Sequence, residues 1–240
     1  LGALADFAEG EREDVAAMPA LDRPAPALLR QLDAKLRRAV EDYDFNAYTR
    51  EIADFCNEDL SAFFFDIRKD CLYCDAADDP RRRAYRTALD TLFHALVRYA
   101  APVLVFTAEE VWQSRYPGTD SVHLLEWPDV PAAEADIERW QALRSLRERV
   151  NEAIEPLRRE KTIRSSLEAE VTVPASAPEA DLEELFITAT VARGQGDEVT
   201  VSRTAHHKCG RCWRHLPDVA EDGGLCGRCD SVVAAMETQA

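Results

Sequence analysis

Two cysteine pairs, Cys209-Gly-Arg-Cys212 and Cys226-Gly-Arg-Cys229, stand thirteen residues apart near the end of this sequence. Each C-x-x-C pair can bring two thiolates to one ion at about 2.3 Å, and two pairs complete a tetrahedral shell with no open position. The spacing predicts one structural zinc ion held by Cys209, Cys212, Cys226 and Cys229; the competing reading is a pair of disulfides. Gly210 and Gly227 occupy the same place in each pair, where a chain curling around an ion is strained least by a residue without a Cβ. A closed thiolate shell performs no reaction. It stiffens a ribbon too small to fold unaided.

Trp213 follows the second ligand directly, between Arg211 and Arg214. An aromatic ring beside guanidinium groups can stack on an unpaired nucleic-acid base, or the indole can serve as the apolar plug of a small ribbon. A second basic set, Arg158, Arg159, Lys161 and Arg164, can follow phosphates or form a solvated helix face. Arg68 and Lys69 read as the exposed end of a helix, where positive charge suits the dipole. No residue is assigned to catalysis. His94 and His123 lack a nucleophile or carboxylate at motif spacing, Glu109 and Glu110 read as helix N-terminal charge, and Gly194-Gln-Gly196 is a turn without the glycines of a phosphate loop.

The elements that position these residues are mostly helical. Leu28, Leu29, Leu32, Leu36, Val40 and Tyr43 form one apolar stripe beginning after Pro24 and Pro26. Phe45, Tyr48, Ile52, Phe55, Leu60, Phe63 and Ile67 form a long aromatic second helix, with Asp44 or Asn46 placed to cap it. Asp79 and Pro80 open a third that ends near Pro102, and a fourth spans about 107–116. A surface crossing from Pro117 to Pro131 leads to a fifth helix through Trp140, Leu143, Leu146, Val150, Ile154 and Leu157, which Pro156 should kink or end. After Ser165 the period becomes two at Leu167, Ala169, Val171 and Val173, predicting a strand. A short helix near Pro178 to Glu184, a β-like run from Leu185 to Val191, and a turn at Gly194 and Gly196 then precede the ribbon.

This order gives residues 21–164 as an antiparallel helical bundle, 165–204 as a small α+β connection, 205–233 as a four-cysteine zinc ribbon and 234–240 as a fraying tail, after an acidic connector at 1–20. Seven cysteines, an odd number with four in a metal pattern, fit a reducing cytoplasmic compartment rather than a disulfide scaffold. No apolar run is long enough for a membrane helix. The net charge of −16 opposes nucleic-acid binding as a sum, but its distribution does not. Residues 1–60 carry fourteen acids and seven bases, whereas 144–164 carry seven bases and four glutamates. One basic face on an acidic body can meet a polyanion.

The run from Asn57 to Asp70 and the block from Ala95 to Trp112, with Phe-Thr-Ala-Glu-Glu-Val-Trp at its end, resemble the anticodon-binding helical domain of the bacterial isoleucyl-tRNA synthetase family. The segment Lys161 to Ala169 and the Cys-x-x-Cys-Trp ribbon resemble the same family's C-terminal region, so the likeness covers roughly residues 20–233. The helical block also occurs in valyl- and leucyl-tRNA synthetases; its combination with the ribbon selects isoleucine. Pro24, Cys71 and Arg164 stand where the family usually has Trp, Arg and Gly. Cys71 makes a third C-x-x-C pair with Cys74, read as drift rather than a second zinc site.

The resemblance implies a class Ia anticodon-binding bundle and a tRNA(Ile) partner, bound at its anticodon stem-loop by Arg211, Trp213, Arg214, Arg158, Arg159, Lys161 and Arg164. It further implies a monomer whose remaining partners are the catalytic and editing domains of one longer polypeptide. The family joins isoleucine to tRNA with ATP through His-Ile-Gly-His and Lys-Met-Ser-Lys-Ser signatures, and neither occurs in these residues, which are expected to be inactive alone. Two alternatives remain: a helical protein-interaction module with a zinc ribbon, and a DNA-binding module similar to the zinc finger of formamidopyrimidine-DNA glycosylases, whose β-rich catalytic domain has no counterpart here.

Overall fold

The computed structural model describes residues 1–14, 18–130 and 136–238; the expectations for Pro131 and the last two tail residues lie outside these. The chain divides into two compact units, Leu1–Asp66 with Ala77–Ala135 and Ile67–Ala76 with Asp136–Ala240. The fifth predicted helix lies in the second unit.

Apart from the segment Ile67–Ala76, which carries the helix Lys69–Cys74 and belongs to the second unit, the helices before residue 136 form the first unit. There α1 (Pro24–Glu41) starts on prolines, which suit a helix N-terminus because their missing N–H has no helical partner there. Its buried stripe is Leu29, Leu32, Leu36 and Ala39, whereas Val40 and Tyr43, expected inward, are exposed. α2 (Phe45–Asp54) begins at Asp44, whose carboxylate accepts from Ala47 N at 2.9 Å. The predicted long second helix is not regular: Phe55–Phe64 is π-helical, with the wider i→i+5 turn, before α3 (Phe65–Ile67) and α4 (Lys69–Cys74). Phe55, Leu60 and Phe64 are five and four residues apart, and the wider turn keeps all three buried. α5 (Pro80–Ala100) is capped by Asp79, and α6 (Val105–Arg115) packs back against it.

Polar contacts tie the loops to this bundle. Asp33 accepts from Tyr99 Oη at 2.6 Å, Trp127 Nε1 at 2.6 Å and Arg37 Nε at 2.7 Å. Burial opposes ionisation of Asp33, but these three donors outweigh it and hold the carboxyl below its ordinary range. The crossing that carries Trp127 is thus pinned to α1. The N-terminal segment is docked as well: Arg86 donates to Ala3 O at 3.1 Å and pairs with Asp6 and Glu11, while buried Asp90 takes Arg12 and Arg115. His94, read as lacking a carboxylate, lies 3.8 Å from Asp90 and 2.9 Å from Tyr116 Oη, a structural arrangement.

In the second unit, α7 (Ile137–Arg159) buries Trp140, Leu143, Leu146, Val150 and Ile154. It runs through Pro156 for three more residues; one turn from a helix end a proline forfeits a single hydrogen bond, so termination is not forced. β1 (Ala169–Pro174) buries Ala169, Val171 and Val173 as the alternation predicts, and sits between β2 (Thr190–Gly194), parallel, and β3 (Thr200–Arg203), antiparallel. Leu185 and Phe186 belong not to a strand but to α8 (Leu182–Phe186), the crossover that a parallel β1–β2 pair requires. Asp181 caps α8 through Glu184 N at 3.0 Å. Arg68, expected at an exposed helix end, is fully buried and pairs with buried Glu184 at 2.5 Å. β4 (His207–Lys208) and β5 (His215–Leu216) flank the first cysteine pair, and α9 (Gly227–Glu237) continues past Val233, where fraying was expected.

Candidate metal centre and nucleic-acid interface

The first cysteine pair is a tight turn between β4 and β5. Cys209 N donates to Arg214 O at 2.9 Å and Trp213 N to Cys209 O at 3.0 Å, closing the knuckle on itself. Gly210 is needed for close approach rather than for curl, since a Cβ there would stand 2.5 Å from Gly223 O. Gly227 is different: an added Cβ would meet only Asp218 Oδ2 at 3.4 Å. The left-handed conformation in this turn falls on Trp213, with φ 65°.

The second pair starts a helix. Cys226 is the N-cap of α9 and Cys229 lies in its first turn, so unpaired helix N–H groups gather beside two thiols. All seven cysteines are free, and the disulfide reading is not what forms. The Sγ atoms of Cys209, Cys212, Cys226 and Cys229 lie within 4.8 Å of one another, with Cys212 and Cys226 at 3.9 Å. Tetrahedral zinc with 2.3 Å bonds requires sulfurs about 3.8 Å apart, so the donor set fits a closed zinc shell. Burial opposes the Cys209 thiolate, yet the N–H groups of Cys226, Cys212 and Arg211 prevail and lower its pKa to about 6; burial pushes Cys212 and Cys226 up. His215 is engaged with His206 O at 2.8 Å and His207 lies 3.5 Å from Asp222, so no histidine joins the four sulfurs.

The arginine between the cysteines of each pair turns toward α4. Arg211 donates to Cys74 O at 2.6 Å, to Tyr73 O at 3.4 Å and to Cys229 Sγ at 3.5 Å. Arg228 makes two bonds to the Asp70 carboxylate, at 2.5 and 2.8 Å, and one to Asp75 at 2.8 Å. This fork matches a carboxylate in both charge and shape. Burial works against Asp70 ionising, but Arg228, helped by Arg214, keeps its pKa below the ordinary value. Cys74 packs among the four cysteines with Val219 and Leu216, though it is not one of the metal set. Sequence reasoning left Arg228 unassigned; the signal was its identical place in the two Cys-Gly-Arg-Cys pairs.

Trp213 is 61% exposed, and Lys208 Nζ stands 5.5 Å from its ring centroid. The ribbon's plug is Val219 with Leu216, not Trp213. Arg214 is half-buried. Arg158 and Arg159 share Glu155, each at 3.8 Å, and Lys161 (φ 59°) and Arg164 are exposed just beyond α7. The candidate cations therefore sit on two elements of the second unit, the knuckle turn and the end of α7.

Comparison with known proteins places this geometry. Residues 22–173 match the anticodon-binding domain of tRNA ligases, and residues 207–232 match the zinc finger found in FPG and IleRS. The isoleucine–tRNA ligase of Zymomonas mobilis is 53% identical over 249 residues, covering 97% of this chain and 26% of that protein. The isoleucine–tRNA ligases of Gluconobacter oxydans and Ruegeria pomeroyi are 44% and 42% identical over 98% and 97% of this chain, and 26% and 27% of those proteins. The chain spans about a quarter of the length of the curated relatives it matches. By the match over residues 22–173, it belongs to the family of anticodon-binding domains of tRNA ligases.

Proposed function

We propose that this chain binds the anticodon stem-loop of tRNA(Ile) as part of an isoleucine–tRNA ligase. The observation that carries the reading is Trp213, an exposed indole next to a metal-type cysteine, with Lys208 beside it in a basic turn. Unpaired loop bases are recognised by stacking on such rings, at about 1 to 3 kcal/mol per base. Arg214, Arg158, Arg159, Lys161 and Arg164 neutralise phosphates, and Arg211 braces the turn through its bonds to Cys74 O and Cys229 Sγ. Zinc is held by Cys209, Cys212, Cys226 and Cys229 and supplies rigidity only. Joining isoleucine to tRNA, with ATP, belongs to the longer protein, whose catalytic and editing parts are this chain's partners. Seven cysteines, an odd number with four in a metal pattern, are in keeping with a reducing cytoplasm, and the chain is taken as a monomer. Among the described residues no helix is long and apolar enough to cross a membrane.

The test is salt-dependent binding to tRNA carrying an isoleucine anticodon and to the same tRNA with a swapped anticodon. The isoleucine form should bind more tightly, and Trp213→Ala should weaken it by about 5- to 100-fold with zinc content unchanged. Equal affinity for both tRNAs would refute anticodon reading.

A further inference from the structure

One end of the bundle breaks local rules twice. The residue after the C-cap of α1 has φ 56°, a conformation suited to Gly or Asn, yet Tyr43 occupies it. The N-cap of α6 is Leu104, with no side-chain cap, where Ser, Thr, Asp or Asn would satisfy the free N–H groups. In both places a large apolar side chain replaces the residue the backbone favours. Such departures collect at functional positions.

The two corners lie at the same end. Tyr48 Oη, in the first turn of α2, donates to Tyr99 O, in the last turn of α5, at 2.8 Å. The segment after α6 folds back onto that helix: Glu109 accepts from Ser121 Oγ at 2.7 Å and Val122 N at 2.9 Å, and His123 Nε2 lies 3.1 Å from Val105 O. The result is an apolar end made of Tyr43 (80% exposed), Phe45, Leu104, Phe106 (88%) and Leu124 (75%). Tyr43 and Phe45 pack edge to face with centroids 6.4 Å apart.

Charge identifies the occupant. Residues 41–46, 101–110 and 121–127 contain no Lys or Arg, and contribute Glu41, Asp42, Asp44, Glu109, Glu110 and Glu126. A phosphate backbone is repelled from such a surface, whereas an apolar protein face with basic margins complements it. The ligase relatives are about four times as long as the region they share with this chain. We propose that this apolar end, around Phe106, Leu104 and Tyr43, is the seat for the remaining part of that longer polypeptide. The proposal rests on the reading of the chain as part of an isoleucine–tRNA ligase.

Hydroxyl-radical labelling tests it on two proteins: this chain alone, and the Zymomonas mobilis ligase with its matching region replaced by this chain. Phe106 and Tyr43 should be labelled strongly in the isolated chain and at least fivefold less in the longer protein. Tyr73 and Trp213, both exposed on the second unit, should change little. Labelling of Phe106 that is equal in both proteins would overturn the seat. So would protection that appears in the isolated chain as concentration rises, with dimers in sedimentation, because the occupant would then be a second copy. Protection that needs added tRNA would assign the surface to RNA and overturn it too. Anticodon discrimination measured on the same longer protein separates the two ideas: if it is intact while Phe106 stays labelled, the seat alone fails.

Discussion

Asp33 carries more of the first unit than its type suggests. One carboxylate accepts from a tyrosine, a tryptophan and an arginine drawn from α5, the Trp127 crossing and α1 itself. Asp33→Ala would leave Tyr99 and Trp127 donors without their acceptor and should cost about 1–3 kcal/mol in urea unfolding. The pH dependence has a definite sign. Asp33 is more acidic folded than unfolded, so the unfolded chain takes up the proton first as pH falls. Its contribution is complete above the ordinary value of 3.8 and is lost as pH drops through the lower folded value. Urea midpoints from about pH 6 to about pH 3 should therefore fall less steeply in Asp33→Asn than in the wild type. Nothing in the spacing of apolar residues marks Asp33, because its partners arrive from 66 and 94 residues away. Arg68 was hidden for the same reason: its partner Glu184 is 116 residues distant.

At the scale of the element, the two knuckles look equivalent in sequence and are not. Gly210 faces the backbone of Gly223 at a distance no Cβ tolerates, whereas Gly227 begins a helix and faces the end of a flexible side chain. Gly210→Ala should accelerate zinc loss to a chelator by about tenfold or more, since the turn that orients Cys209 and Cys212 must shift. Gly227→Ala should retain zinc nearly as the wild type does. Colorimetric zinc release on the two variants decides between a difference of this kind and the equivalence the motif implies. The π-helical stretch Phe55–Phe64 is another element that periodicity misses, because a stripe drawn at 3.6 residues per turn passes through the same aromatic residues.

For the whole molecule, the division into two units separates what metal should control from what it should not. The buried side chains of the first unit include none of the four zinc-type cysteines, while Cys74, Val219 and Val232 of the second pack near them or follow them in α9. Chelation should therefore abolish amide protection in the knuckles and in α9, where binding free energy is folding free energy, and leave α1 and α5 protected. Hydrogen exchange with and without chelator reads both outcomes in one experiment. Loss of protection in α1 would mean that metal holds more of the protein than its own unit.

Read alone, the sequence located α1, α5, α6, the strand at 169–174 and the four metal-type cysteines, because each rests on local spacing, capping or a short motif. It also determined the family likeness, carried by contiguous runs. Which way the arginines face was settled by long-range contacts alone. Arg211 and Trp213 are two residues apart in one turn; one guanidinium is drawn inward by a carbonyl 137 residues away, while the indole is left exposed beside Lys208. The choice depends on what α4 offers at that point, a carbonyl for Arg211 and the Asp70 carboxylate for Arg228, and contacts of that reach leave no local period to read.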